Sequence, residues 1–179
     1  MLTLVLGGAA SGKSEYAEAL VMKLSGTPRI YLATMQANDA ESRARVERHI
    51  ALREGKGFLT VECPLALEHV AVPSGSVVLL ECMSNLLANE CFSPDGAGKL
   101  ACERILRGMD RLCLLADNTV VVSNLVFSDG MIYDASTMEY IARLARVNAA
   151  LAQKADRVVE VVCSIPILHK GKGESTACV

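Results

Sequence analysis

No apolar stretch in this 179-residue chain approaches the roughly 20 residues that cross a bilayer, although 51% of the residues are hydrophobic. The early run Leu2–Leu6 is also too short for the core of a signal peptide. These absences predict a soluble, cytoplasmic protein with no membrane span. Neither charge sign dominates: a formal net charge of −2 offers no general attraction to polyanions, so no nucleic-acid partner is expected. No C-x-x-C pair occurs among the seven cysteines, Cys63, Cys82, Cys91, Cys102, Cys113, Cys163 and Cys178. That argues against a zinc ribbon, and the odd number argues against a disulfide framework. Small core hydrophobes are the expected role for most of them. There is no internal repeat, linker or low-complexity tract, and a chain of this length buries about 70% of its unfolded surface unaided. One domain over 1–179 is the expectation.

Against that plain background stands Gly7-Gly8-Ala9-Ala10-Ser11-Gly12-Lys13-Ser14, directly after Leu2–Leu6, which satisfies G-x-x-x-x-G-K-[ST] at every fixed position. Glycines at those places let backbone N–H groups close around phosphate oxygens, and the following helix turns its positive end to the same charge. Lys13 then bridges β and γ oxygens, and Ser14 holds Mg²⁺. A glycine-rich turn that binds nothing needs neither of those side chains.

Short β-branched or apolar runs recur at Leu2–Leu6, Arg29–Ala33, Val77–Glu81, Thr119–Ser123 and Arg157–Cys163, separated by stretches of helical period. The alternation predicts an α/β fold with a mostly parallel central sheet flanked by helices. Helices are expected at about Lys13–Leu24, Asp39–Arg53, Ser84–Cys91, Gly98–Ala116 and Ser136–Lys154. In the first, Tyr16, Leu20 and Leu24 form one stripe toward the sheet. The segments Ser93-Pro94-Asp95-Gly96 and Asp129-Gly130 read as loops, and Lys170–Val179 reads as a fraying end.

Glu81 ends the hydrophobic run Val77-Val78-Leu79-Leu80, the usual place for the second partner of a phosphate loop, on Mg²⁺ directly or through water. Arg45, His49 and Arg53 follow at four-residue steps and share one helical face. Val46 and Ile50 form the neighbouring apolar stripe that seats the helix on the body. Such a face is commonly just solvated, but near a phosphate loop it acquires a chemical reading. Flanking arginines hold the imidazole neutral and therefore nucleophilic, and the same arginines offset charge developing on a triphosphate under attack. His69 and His169 have no comparable neighbours and read as structural or surface residues. Glu62, after Phe58-Leu59-Thr60-Val61 on a short strand, either accepts hydrogen bonds from a base or ribose or is a solvated edge charge, and spacing favours the edge.

Together these segments make the chain resemble the bifunctional adenosylcobinamide kinase/adenosylcobinamide-phosphate guanylyltransferases of cobalamin biosynthesis. The likeness is a series: the phosphate loop, Tyr31-Leu32-Ala33-Thr34, Arg45-Val46-Glu47-Arg48-His49 with Arg53, and Thr60-Val61-Glu62. It continues through Leu80-Glu81-Cys82-Met83-Ser84 with Asn89, Val122-Ser123-Asn124, and Asn148-Ala149-Ala150-Leu151-Ala152 with Ala155-Asp156. The resemblance implies phosphoryl transfer from ATP or GTP to adenosylcobinamide, then GMP transfer from GTP to the resulting phosphate through a guanylylated histidine, which His49 matches. It implies that Thr34 with its neighbours Ala33 and Met35, the residues Ile50, Ala51, Leu52 and Arg53, and also Glu62 and Glu81, surround the guanine nucleotide. It further implies a RecA-like P-loop NTPase sheet, Mg²⁺, a corrinoid partner and a homotrimer.

The chain departs from the family pattern in three places. Leu125 stands where a glutamate is usual and opens an altered segment to Met131, Phe58 replaces a tryptophan, and Ser164-Ile165-Pro166 replaces Gly-Ile-Pro. Two other functions therefore compete with the bifunctional enzyme. One is another P-loop small-molecule kinase, which needs Lys13, Ser14 and Glu81 but not His49; the other is a non-catalytic nucleotide-binding relative.

Overall fold

The computed structural model describes residues 1–36, 46–47, 50–51, 53–126, 130–131 and 133–172. The strands are β1 (Leu2–Gly7), β2 (Arg29–Ala33), β3 (Phe58–Glu62), β4 (Val77–Glu81), β5 (Asn118–Asn124), β6 (Arg157–Val162) and β7 (Ile165–Lys170). The helices are α1 (Lys13–Lys23), α2 (Met83–Phe92), α3 (Ala101–Leu115) and α4 (Ala135–Lys154). Among the described residues the strands form one seven-stranded sheet in the order β3-β2-β4-β5-β1-β6-β7. All neighbours run parallel except β7, which returns antiparallel to β6.

Strand side chains alternate between faces, and the two faces carry unequal loads. Leu4, Leu32, Leu80 and Val121 face a large layer that includes Leu86 and Leu87 of α2, Ile105 and Met109 of α3, and Leu144 and Leu151 of α4. Val5, Leu79, Val120 and Val122 face a smaller one built on Ala17, Leu20 and Val21 of α1. Burial on both faces explains why the central strands read as continuous apolar runs. The buried stripe of α1 is thus Ala17, Leu20 and Val21, with Tyr16 and Leu24 only half-buried at its margin. The expected stripe of Tyr16, Leu20 and Leu24 packs on this layer, and Ala17 and Val21 widen it.

The other differences are local. The predicted helix at Gly98 opens instead with a 3-10 turn, Gly98–Leu100, before α3 begins. Asp134 caps α4, its Oδ1 accepting from the N–H groups of Ser136 at 2.9 Å and Thr137 at 3.1 Å. Strand β7 was not expected: all six of its residues are exposed, so it lacks the alternation that marks a half-buried strand, and Pro166 suits an edge. It joins β6 through the two-residue turn Cys163–Ser164, with φ of 49° and 64°. Of the cysteines, Cys63 and Cys102 are buried as expected, whereas Cys163 is exposed on that turn. Most of the predicted end segment, 173–179, lies outside the described residues.

The carboxyl ends of β1, β2, β3, β4 and β5 all open on one edge of the sheet, so Gly7, Ala33, Glu62, Glu81 and Asn124 are brought to one side. In open α/β sheets that is the edge where ligands bind.

Candidate active site

The phosphate loop leaves β1 at Gly7 and enters α1 through Gly12, whose φ of 87° is a left-handed conformation that suits glycine. The Lys13 Nζ donates to the Gly8 carbonyl at 2.9 Å, holding the ammonium over the loop. Burial lowers the pKa of Lys13 below the ordinary lysine value, with Cys82 and Glu81 opposing the shift. The Ser14 hydroxyl donates to Glu81 Oε1, and the Tyr31 hydroxyl donates to Glu81 Oε2 at 3.2 Å. Burial first, and Glu81 next, push the Tyr31 phenol far above the usual tyrosine range, so it stays a donor. A strand-end carboxylate therefore meets the loop serine, the pairing foreseen for Ser14 and Glu81.

These groups line a cleft of about 310 Å³ together with Ala9, Ala10, Ala33, Met35, Val46 and Arg53. Cys82, Asn85, Val122 and Asn124 complete its wall. The hydroxyl and carboxylate oxygens of Ser14 and Glu81 suit Mg²⁺, which takes one or two protein oxygens and leaves its other positions to phosphates and water.

Arg53 follows the ligand-facing reading of the cationic face and not the solvated one. Its side chain does not face solvent: the residue is 7% exposed, and its guanidinium stacks 3.4 Å from the centroid of the Tyr31 ring. Its Nη1 is buried and has no hydrogen-bond partner among the described residues. Ile50, expected to seat the helix, is 52% exposed. Arg53 takes the inward place because a planar cation is well matched to an aromatic face. The described residues 46, 47, 50, 51 and 53 are helical as expected, while Arg45, Arg48, His49, Leu52 and the start of the predicted helix lie outside the described residues.

A second, wider cleft of about 730 Å³ lies beside the first, lined by Glu47, Ile50, Ala51, Arg53, Glu54, Gly55, Gly57, Phe58 and Thr60. Arg53 belongs to both. Glu62 lines neither; it is exposed at the end of the edge strand β3, on the same face as Phe58 and Thr60, one pleat beyond them.

Thr34 is fully buried and stitches the sheet edge together. Its Oγ1 donates to the Cys82 carbonyl at 2.9 Å and accepts from the Cys82 N–H at 2.7 Å, while the Asn89 amide donates to its carbonyl at 2.8 Å. His69 and His169 are exposed and sit beside Glu68 and Glu160 respectively, in keeping with their reading as surface residues.

Sequence reasoning gave no role to Tyr31, Asn85 or Ser164. Tyr31 is the middle residue of β2 and was marked only as part of the segment Tyr31–Thr34, and Asn85 lies near the start of α2 with no motif to mark it. Ser164 donates its N–H to the Ser11 carbonyl at 2.8 Å, and a Cβ built on Gly12 would fall 2.6 Å from its hydroxyl oxygen. The only hint in the sequence is that a serine, not a glycine, precedes Ile165-Pro166.

Comparison with known proteins agrees with this arrangement. A family model described as cobinamide kinase / cobinamide phosphate guanyltransferase matches residues 3–168. The bifunctional adenosylcobalamin biosynthesis protein CobU of Escherichia coli is 32% identical over 186 residues, covering 95% of this chain and 100% of that protein. CobP of Pseudomonas aeruginosa, a bifunctional adenosylcobalamin biosynthesis protein, is 31% identical over 175 residues, with 96% and 99% covered. Among solved structures, a KaiC-like protein from Pyrococcus horikoshii matches with a TM-score of 0.53 at 12% identity, over 97% of this chain and 81% of its own. That likeness is one of fold alone. The full-length agreement in sequence goes further: the chain belongs to the cobinamide kinase / cobinamide phosphate guanyltransferase family of cobalamin biosynthesis, and it is an enzyme.

Proposed function

We propose that the cleft on the phosphate loop grips the triphosphate of ATP or GTP for phosphorylation of adenosylcobinamide, and that His49 then carries GMP from GTP to the adenosylcobinamide phosphate. The observation that carries this reading is the meeting of Lys13, Ser14 and Glu81 in one cleft that Val46 and Arg53 also line, since His49 lies between those two in sequence. Gly7, Gly8, Ala9, Ala10, Ser11 and Gly12 supply the backbone cradle, and Lys13 draws the β and γ oxygens. Arg53 brings a desolvated cation whose Nη1 lacks an acceptor among the described residues, which suits an anion site. Ser14 and Glu81 are the residues to hold Mg²⁺, which when bound offsets charge on the phosphate oxygens. In this reading Ala33 and Met35 of the first cleft and Ile50 and Ala51 of the second take the guanosine, Glu62 reaches it from the strand end outside both clefts, and Thr34 supports them from behind.

A covalent histidine intermediate divides transfer between two anions into two displacements, so the weakly nucleophilic substrate phosphate never has to expel pyrophosphate directly. Incubation with GTP labelled at the α-phosphate should leave an acid-labile, alkali-stable adduct on the protein and none on His49→Ala. A blank on the wild-type chain would remove the guanylyl-transfer reading. The family likeness also supports a cytoplasmic homotrimer, which light scattering on the purified chain tests.

A further inference from the structure

Asn124 is a polar residue of the cleft that neither the phosphate loop nor the metal pair accounts for. Asn124 ends β5, in register with Gly7 on β1, and β5 lies between the strand of the loop and the strand of Glu81. Its carboxamide lines the cleft with Lys13, Ser14 and Glu81. Its Nδ2 donates to the Ser84 hydroxyl at 2.6 Å, and Ser84 Oγ lies 3.1 Å from Cys82 Sγ, a pair in which either atom can be the donor. The backbone is tied down as well: the Asn148 amide donates to the Asn124 carbonyl at 3.3 Å, and the Ser123 hydroxyl donates to Asn148 Oδ1 at 2.7 Å. Among the described residues Asn124 Oδ1 has no hydrogen-bond partner. The result is a rigid, uncharged acceptor beside the Lys13 and Arg53 cations, while the Glu81 carboxylate is already engaged by Ser14 and Tyr31; a phosphate oxygen gains nothing from such an acceptor and a hydroxyl does.

From this geometry we infer that Asn124 is a catalytic residue of the kinase step, its Oδ1 accepting the O–H of the substrate alcohol so that the oxygen lone pair faces the γ-phosphorus. The inference rests on the kinase reading of the cleft. The alcohol oxygen forms a bond to γ-phosphorus while the bond from that phosphorus to the β–γ bridging oxygen breaks, and the electron pair departs with the nucleoside diphosphate. The hydroxyl proton passes to an oxygen of the transferred phosphoryl group once the new bond has formed. A loose transition state asks little basicity of the group that holds the alcohol, so an amide suffices where orientation is the requirement.

The test compares wild type, Asn124→Ala and Asn124→Asp in two assays: phosphoryl transfer from GTP to adenosylcobinamide, and GMP transfer from GTP to ready-made adenosylcobinamide phosphate, which has no hydroxyl to orient. For Asn124→Ala, kcat of phosphoryl transfer should fall about 100-fold with little change in the KM for GTP, and at least tenfold further than GMP transfer falls. Asn124→Asp keeps an acceptor and should recover to within about tenfold of wild type, and the melting shift induced by GTP checks that each variant folds. If Asn124→Asp is as impaired as Asn124→Ala and its KM for GTP rises, the amide donates to phosphate and the inference is overturned. A wild-type kinase that Asn124→Ala leaves unchanged overturns this assignment alone. A wild-type chain that transfers GMP but no phosphoryl group overturns the kinase reading and this assignment with it.

Discussion

The two neighbouring clefts are built on different principles. The first rests on the carboxyl ends of central strands buried on both faces, so Glu81, Cys82 and Asn124 are fixed by the same packing that holds Leu80 and Val122. The second is walled by a helical segment and by the edge strand β3, where Ile50 and Leu59 are more than half exposed. The first therefore has the rigidity that positioning a reacting group requires, and the second has the room and exposure that suit a nucleoside entering from solvent. Arg53 is the joint between them, because its stacking on Tyr31 couples the helical segment to the strand that also supports Glu81.

The heaviest blow to that comparison is Lys13→Ala. If one triphosphate serves both reactions, phosphoryl transfer should drop by at least about 100-fold, the scale of losing one positioned charge donor, and the His49 adduct should disappear as well. Kinase loss with normal labelling would mean that the clefts hold separate triphosphates. Arg53→Ala is next: GTP affinity should weaken by roughly ten- to a hundredfold, the size of a charge-assisted hydrogen bond of about 1.5–3 kcal/mol. Arg53→Lys should recover only part of it, since the ammonium lacks the planar stack. Isothermal titration reads both variants.

Thr34→Val should act on stability. It leaves the Cys82 N–H without its acceptor, at a cost of about 1–3 kcal/mol, so the melting temperature should fall by several degrees while kcat changes little. A higher KM for GTP at unchanged melting temperature would instead make Thr34 a nucleotide contact. The smallest effect belongs to Asp134→Ala, outside both clefts. Hydrogen bonds from Ser136 and Thr137 hold the Asp134 carboxyl well below its ordinary value of 3.8. The stabilisation is therefore present above that value and fades as pH falls below it, so the variant should melt slightly early at neutral pH, with the gap closing in acid. Melting curves from pH 7 to pH 3 measure it.

Much of the first cleft was legible because its chemistry is spelled in consecutive residues. Gly7 to Ser14 and the run ending at Glu81 carry their own periodicity and end signals, and the elements formed within a few residues of the expected limits. The second cleft was not legible in that way. A four-residue spacing of cations marks a face but not its direction, and only the Tyr31 ring, from a strand distant in sequence, shows that Arg53 turns inward. Thr34 was marked by the family likeness, yet its buried hydroxyl could be assigned to Cys82 only once β2 and β4 were known to be neighbours. Strand β7 escaped because no face of it is buried, and Asn124 drew notice only as part of a family motif, with its place beside Gly7 set by strand order.

The serine on the β6–β7 turn alters what the third glycine of the loop means. Gly12 is denied a side chain by phosphate chemistry and, independently, by Ser164 lying against it. A Gly12→Ala variant should therefore distort the loop even in the absence of any nucleotide. Transplanting Gly7–Ser14 alone into a foreign sheet would forfeit the carbonyl-to-amide tether at Ser11, so the smallest portable unit of this nucleotide grip is two distant pieces of chain.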